Sequence, residues 1–266
     1  MLSKNKIKFI NSLKKKKHRN ETGLFIAEGV KLVNEILASG FRVPLLCATP
    51  EWTETTAYKS QANIKELITI TQEELRRISG QSNPNQVLAV VEQPSQEIDE
   101  EKMLNELSLV LDNINDPGNL GTIIRIADWF GINNLICSRD TVDVYNPKVV
   151  QSTMGSICRV TIQYRALHEF LPKYSKTGDV IVYGSSLEGK SIFDAPLSNK
   201  GIVVMGNESH GISEELLPYI NTQLYIPNFS KISGNRAESL NVSVAAGIIC
   251  AEFRKYQSAI QSGKKG

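Results

Sequence analysis

From Leu24 onward the chain alternates short apolar runs with amphipathic stretches. "LFIAE" is strand-like, and "GVKLVNEILASG" has helical spacing with Gly40 placed to close its C-terminus. "PLLCATP" is strand-like again, before a polar stretch from Thr53 to Gln61. "ITI" and the helix "TQEELRRIS" follow; Thr71 with Glu74 three residues on has the spacing of a capping box. A loop, "QSNPNQ", leads into the strand "VLAVVE". The polar, acidic stretch "PSQEIDEEKMLN" reads as a linker. A second series then contributes strands "LSLVLD", "NLICS", "CRVTIQ", "DVIVYG", "GIVVMG" and "TQLYIP", with helices between most of them and a last helix after Ser239. Continuous apolar strands alternating with helices predict a mostly parallel sheet covered on both faces. The expectation is an α/β chain of two domains, 1–93 and 106–266, joined by a linker over 94–105.

Charge changes the picture at the N-terminus. The net charge of +2 hides a block holding Lys4, Lys6, Lys8, Lys14, Lys15, Lys16, Lys17 and Arg19, with no acid before Glu21. Such a block suits a polyanion, because each neutralised phosphate releases counterions. The plainer alternative is a solvated helix face. Ile7, Phe9, Ile10 and Leu13 give the segment an apolar side, so a docked basic helix is expected, with Lys14 to Lys17 and Arg19 as RNA contacts.

Composition adds limits rather than function. With 41% hydrophobic and 22% charged residues among 266, the chain is ordinary for a globular protein. No apolar run is long enough for a bilayer, and the lysine-rich start lacks the apolar core of a signal peptide. Cys47, Cys137, Cys158 and Cys250 are widely spaced and mostly in apolar runs, which points to reduced thiols in the cytoplasm. No P-loop, nucleophile elbow, dinucleotide fingerprint or metal-ligand pair is present in the sequence.

Ligands gather at the carboxyl ends of parallel strands, and three such ends are rich in glycine and asparagine. They are "DNINDPGNLGTIIR", "MGNESHGIS" and "IPNFSKISGNRAESLNVS". Each alone could be a tight turn. In order, they resemble the SpoU branch of the SPOUT superfamily, RNA ribose 2′-O-methyltransferases that use S-adenosylmethionine. The first motif matches with Asn119 and, six residues later, Arg125; the second as Gly206-Asn207-Glu208-Ser209-His210-Gly211; the third as Ile226-Pro227 followed by Ser239 to Ser243. "KVVQSTMGSICRV" is similar to the family's segment between the first two motifs. "FIAEG" and "PNQVLAVV" resemble, more loosely, the RNA-binding domain that precedes the catalytic domain in many rRNA-modifying members. The loop from Pro227 to Ser239, with Lys231 and Arg236, is longer than the family pattern.

The resemblance implies a trefoil-knotted C-terminal methyltransferase domain, a homodimer, and rRNA in preference to tRNA as substrate. It implies a cofactor held by Met205, Gly206, Gly211, Ile226 and Leu240, with the glycines admitting close backbone approach and the apolar side chains sandwiching a ring. Asn119, Arg125, Glu208, Ser239 and Asn241 are its active-site residues, with Glu208 holding Asn119 or Arg125 in place. Bland readings stand beside these: Glu208 as a solvated loop acid, Ser239 as a helix N-cap. A guanidinium scarcely deprotonates, so Arg125 is expected to bind phosphate or ribose through its planar fork rather than act as a base. The rival functions are a non-catalytic RNA-binding assembly protein, which decayed motifs would favour, and a dinucleotide-dependent enzyme, which the missing glycine fingerprint disfavours.

Overall fold

A computed structural model describes residues 2–54, 63–95, 97–176, 178, 180–230 and 239–262. These divide into two compact units: Met1–Ser95 with Asp143–Arg159, and Gln96–Val142 with Val160–Gly266.

The first unit is built on a four-stranded sheet of β1 (Leu24–Glu28), β2 (Leu45–Ala48), β3 (Leu67–Thr69) and β4 (Val87–Glu92), in the order β1-β4-β2-β3. β4 runs antiparallel to both neighbours, while β2 and β3 are parallel. The helix Lys4–Ser12 lays Ile10 and Leu13 into a core with Ile26, Leu75, Ile78 and Leu88, and Ile7 packs against it. Phe9, expected on the same apolar side, is instead partly exposed, since it lies off the stripe through positions 7, 10 and 13. The Thr71–Glu74 capping box forms, and Gly40 adopts the left-handed conformation just past the helix Val30–Ala38.

Asp143–Arg159 was expected to run with the second series, and it packs into the first unit instead. Arg19 meets Asp143, Tyr145 packs its ring 4.8 Å from Phe25, and Arg159 donates to Glu35 at 2.6 Å. At Gly155, with φ +100°, a Cβ would stand 2.7 Å from Glu35 Cγ, so only glycine allows this approach. This explains why "CRVTIQ" does not begin as a strand at Cys158: that residue ends a short 3-10 turn, Ser156–Cys158.

The second unit carries a six-stranded, wholly parallel sheet. Its strands are β5 (Leu107–Leu111), β6 (Asn134–Ser138), β7 (Thr161–Arg165), β8 (Val182–Ser191), β9 (Gly201–Met205) and β10 (Thr222–Tyr225), in the order β10-β8-β9-β5-β6-β7. Every residue of the central strands β9, β5 and β6 is buried, as their unbroken apolar runs demand. The helix Glu100–Met103 sits inside the expected linker, capped by Asp99, and Met103 reaches the core beside Val110, Ile136 and Val204. Burial pushes the Cys47 and Cys250 thiols up to about 12, leaving them inert.

Candidate active site

β5 and β9 are neighbours, with Leu111 opposite Met205, so the loops that leave their carboxyl ends emerge side by side. The loop after β5 enters the helix Pro117–Trp129, whose N-cap is Asp116: its Oδ1 accepts from the Asn119 N–H at 2.8 Å, and proline occupies the first turn. The terminal helix Val242–Ser262 packs along this helix. A Cβ on Gly247 would stand 3.6 Å from Ile126 Cδ1, and Arg254 donates to the carbonyls of Phe130 and Gly131 at 2.8 and 2.9 Å. That guanidinium satisfies carbonyls at the C-terminal end of the motif helix, where a cation is also favoured by the helix dipole.

Three of the sequence-predicted residues from three separate loops meet. The N–H groups of Ser243 and Val244 can only donate, so Asn241 must turn Oδ1 toward them, and it accepts both at 2.9 and 3.3 Å. Its Nδ2 then points away and donates to Asn119 Oδ1 at 2.8 Å. The Asn119 amide is thereby oriented as well, and its Nδ2 donates to Glu208 Oε1 at 2.6 Å. Each amide orientation is dictated by the next, and the chain ends at a carboxylate, which can only accept when ionised. Glu208 therefore holds Asn119, not Arg125.

Arg125 is exposed and, among the described residues, makes no hydrogen bond or ion pair. Four residues on, the same helix face carries Trp129. Ser239 is exposed and stands outside the amide chain. The helix it was expected to cap starts at Val242, and Asn241 is the residue that caps it.

The loop after β9 is held at both ends. Asn207 and Gly211 exchange backbone hydrogen bonds at 2.9 Å, closing a tight turn that Gly211 enters at φ +70°. A Cβ on Gly206 would lie 2.2 Å from the Gly211 carbonyl carbon, so this glycine is required by the loop itself, before any ligand arrives. Asn207 Nδ2 donates to the Asn113 carbonyl at 2.8 Å, while its Oδ1 accepts from Ser209 N–H at the same distance. Buried Asp112 accepts from both the N–H and the hydroxyl of Ser213 at 2.7 Å. Sequence reasoning missed Asp112; an acid ending an apolar strand was the available signal.

Of the expected cofactor residues, Met205 is buried in the strand end, Ile226 is half-buried, and Leu240 is 49% exposed. Exposed aliphatic side chains suit a flat, partly apolar ligand such as S-adenosylmethionine. Leu187 is 71% exposed and was not anticipated. It lies in Ser185–Gly189, an excursion from β8: the β10 partners step from Gly184 to Lys190 between Gln223 and Leu224.

The basic N-terminal block divides sharply. Lys15, Lys16 and Lys17 are exposed. Arg19 is 2% exposed, donating to Asp143 Oδ2 at 3.0 and 2.6 Å and to the Leu13 carbonyl at 2.9 Å, so it is a structural residue rather than an RNA contact. Lys14 is half-buried, with Nζ bonded to Asn11 Oδ1 and the Ser79 carbonyl at 2.6 and 2.7 Å. Burial lowers its pKa, partly offset by nearby Glu28. Both corrections have one cause: a cation in a basic run was claimed by a partner distant in sequence. Lys231 and Arg236 lie outside the described residues.

Comparison with known proteins agrees with this geometry. Residues 106–251 match the SpoU rRNA Methylase family, and residues 4–89 match the MRM3-like substrate binding domain. The chain is 30% identical over 250 residues to the Bacillus subtilis 23S rRNA (guanosine(2553)-2′-O)-methyltransferase RlmP, covering 94% of this chain and 96% of that protein. A TrmH-family protein of Porphyromonas gingivalis superposes with a TM-score of 0.84 at 37% identity, over 96% of this chain and 99% of that one. An AdoMet-bound rRNA methyltransferase from Sinorhizobium meliloti does so with a TM-score of 0.80 at 29% identity, over 96% of each chain. Motifs, sheet and matched relatives agree, and the chain belongs to the SpoU rRNA methylase family.

Proposed function

We propose that the protein transfers a methyl group from S-adenosylmethionine to the 2′-hydroxyl of a ribose in rRNA. The observation that carries this reading is the chain Asn241–Asn119–Glu208, which ties the three motif loops through oriented amides. When bound, S-adenosylmethionine supplies an electrophilic methyl group on a sulfonium. Backbone of the Gly206–Gly211 loop, with Ile226 and Leu240, would hold it.

The remaining work falls to this chain's side chains. The amide network fixes the start of the helix Pro117–Trp129, and Arg125 is carried on that helix. Its exposed guanidinium grips a phosphate of the substrate through two parallel N–H donors. As the 2′-oxygen accepts the methyl group, Arg125 would hold the phosphate oxygen or water that takes up the hydroxyl proton. The required contribution is alignment, which can be worth many orders of magnitude in rate. Lys15, Lys16 and Lys17 supply phosphate contacts from the first unit. The cytoplasm is the proposed compartment. The active form is a homodimer: Trp129 is 85% and Val244 51% exposed, and these apolar side chains suit a second copy.

Replacing Arg125 tests the mechanism. Arg125→Lys keeps the charge and the helix but removes the rigid fork, so single-turnover methyl transfer should fall on the order of a hundredfold. S-adenosylmethionine affinity should stay at the wild-type value. Near-normal turnover in Arg125→Lys, with loss only in Arg125→Ala, would show that charge alone suffices. Lost cofactor binding in both would move Arg125 into the cofactor pocket.

A further inference from the structure

We infer that Phe193 and Phe229 form a stacking platform for an unpaired base of the RNA substrate. The inference rests on the RNA reading above and adds a contact that the three motifs do not include. The two rings lie 6.4 Å apart with their planes 28° from parallel. Phe229 is 78% and Phe193 41% exposed. An aromatic pair left this open on a protein surface calls for an occupant, because each ring forgoes the burial that makes it useful in a core.

The surrounding chain brings these rings together by specific means. After the Ser185–Gly189 excursion, β8 returns to β10 with Lys190 opposite Leu224 and Ser191 opposite Tyr225. Gly189 permits the return: its φ is +122°, and a Cβ there would lie 2.5 Å from the Gln223 carbonyl oxygen. Ile192 then donates to the Tyr225 carbonyl at 2.9 Å. Buried Ile192 and Ala195 anchor the turn on either side of Phe193, leaving its ring outward. Phe229 sits inside a turn in which Asn228 Oδ1 accepts from Ser230 N–H at 2.9 Å.

Position and chemistry select a nucleobase. Phe229 follows Ile226 by three residues, so the platform stands at the rim of the loop assigned to the cofactor. Single-stranded RNA is recognised largely by stacking splayed bases on aromatic rings, a contact that needs no charge. Among the described residues near Phe193, exposed Lys190 is outnumbered by Glu188 and Asp194, which fits that role better than phosphate binding.

The test uses full-length protein, in-vitro-transcribed 23S rRNA and S-adenosylmethionine, comparing wild type with Phe193→Ala, Phe229→Ala and Phe229→Trp. Both side chains are exposed, so the variants should fold, which circular dichroism checks. Each alanine variant should raise the half-saturating RNA concentration in single-turnover transfer roughly tenfold or more, while Phe229→Trp restores it. S-adenosylmethionine affinity and the sedimentation coefficient should not change. Unaltered RNA saturation overturns the platform. So does lost cofactor affinity, which would make the rings a cofactor contact, or a changed subunit assembly, which would make them a contact between copies. Should wild type transfer no methyl group, the reading under Proposed function fails first. The platform is then judged by whether a single-stranded oligoribonucleotide quenches Phe229→Trp fluorescence, and no quenching overturns it.

Discussion

Asn241 performs two tasks with two atoms: Oδ1 caps the terminal helix and Nδ2 orients Asn119. Aspartate at position 119 separates the resulting network from simple polarity. Asn119→Asp keeps the acceptor for Asn241 but sets a carboxylate against Glu208, where an amide now donates at 2.6 Å. Like charges at that range disfavour joint ionisation, so turnover should fall on the order of a hundredfold at pH 8. It should recover in part as the pH drops and the pair takes up a proton; a flat pH profile equal to wild type would show that the contact does not matter. Gly206→Ala tests a different residue. Because its Cβ would strike the Gly211 backbone, the change should lower stability by about 1–3 kcal/mol and weaken cofactor binding, read by thermal unfolding and calorimetry. Wild-type stability with lost binding would place the glycine's role at the ligand alone. The contact of Glu208 with Asn119 was one of two that the family resemblance implied, while the Asn241–Asn119 contact was not foreseen. The burial of Arg19 was not foreseen either, since its partner Asp143 lies 124 residues away and nothing local marks the pair.

At the scale of elements, the apolar runs marked nearly every strand, because inner parallel strands must be apolar on both faces. Two features escaped that pattern. Asp143–Arg159 lies between strands of the second unit in sequence but is held by Arg19, Phe25 and Glu35 of the first. The excursion from β8 depends on one glycine and a shift of register, neither of which alters hydrophobic periodicity. The helix Lys16–Thr22 and the residue before it permit a direct test of the basic block. Replacing Lys15, Lys16 and Lys17 with alanine should lower the slope of log affinity against log salt by about 0.7–0.9 per lost phosphate contact. Arg19→Ala should instead leave a buried carboxylate unpaired and destabilise the unit by about 3–5 kcal/mol. An unchanged salt slope in the lysine variant would reduce the run to a solvated face.

For the whole molecule, two α/β units divide the labour expected of an RNA-modifying enzyme: exposed lysines on one, three tied loops on the other. Among the described residues, no helix is long and apolar enough to cross a membrane. The central claim is methyl transfer to a ribose oxygen, and the chemistry of RNA provides its test. Alkaline hydrolysis cleaves RNA by attack of a free 2′-hydroxyl, so a 2′-O-methyl group protects the adjacent phosphodiester. The measurement is transfer from methyl-labelled S-adenosylmethionine to unmodified in-vitro-transcribed 23S rRNA, followed by complete alkaline hydrolysis. Label recovered in alkali-stable dinucleotides, at one position and lost in Arg125→Ala, is the expected result; label confined to mononucleotides would mean methylation of a base and contradict it.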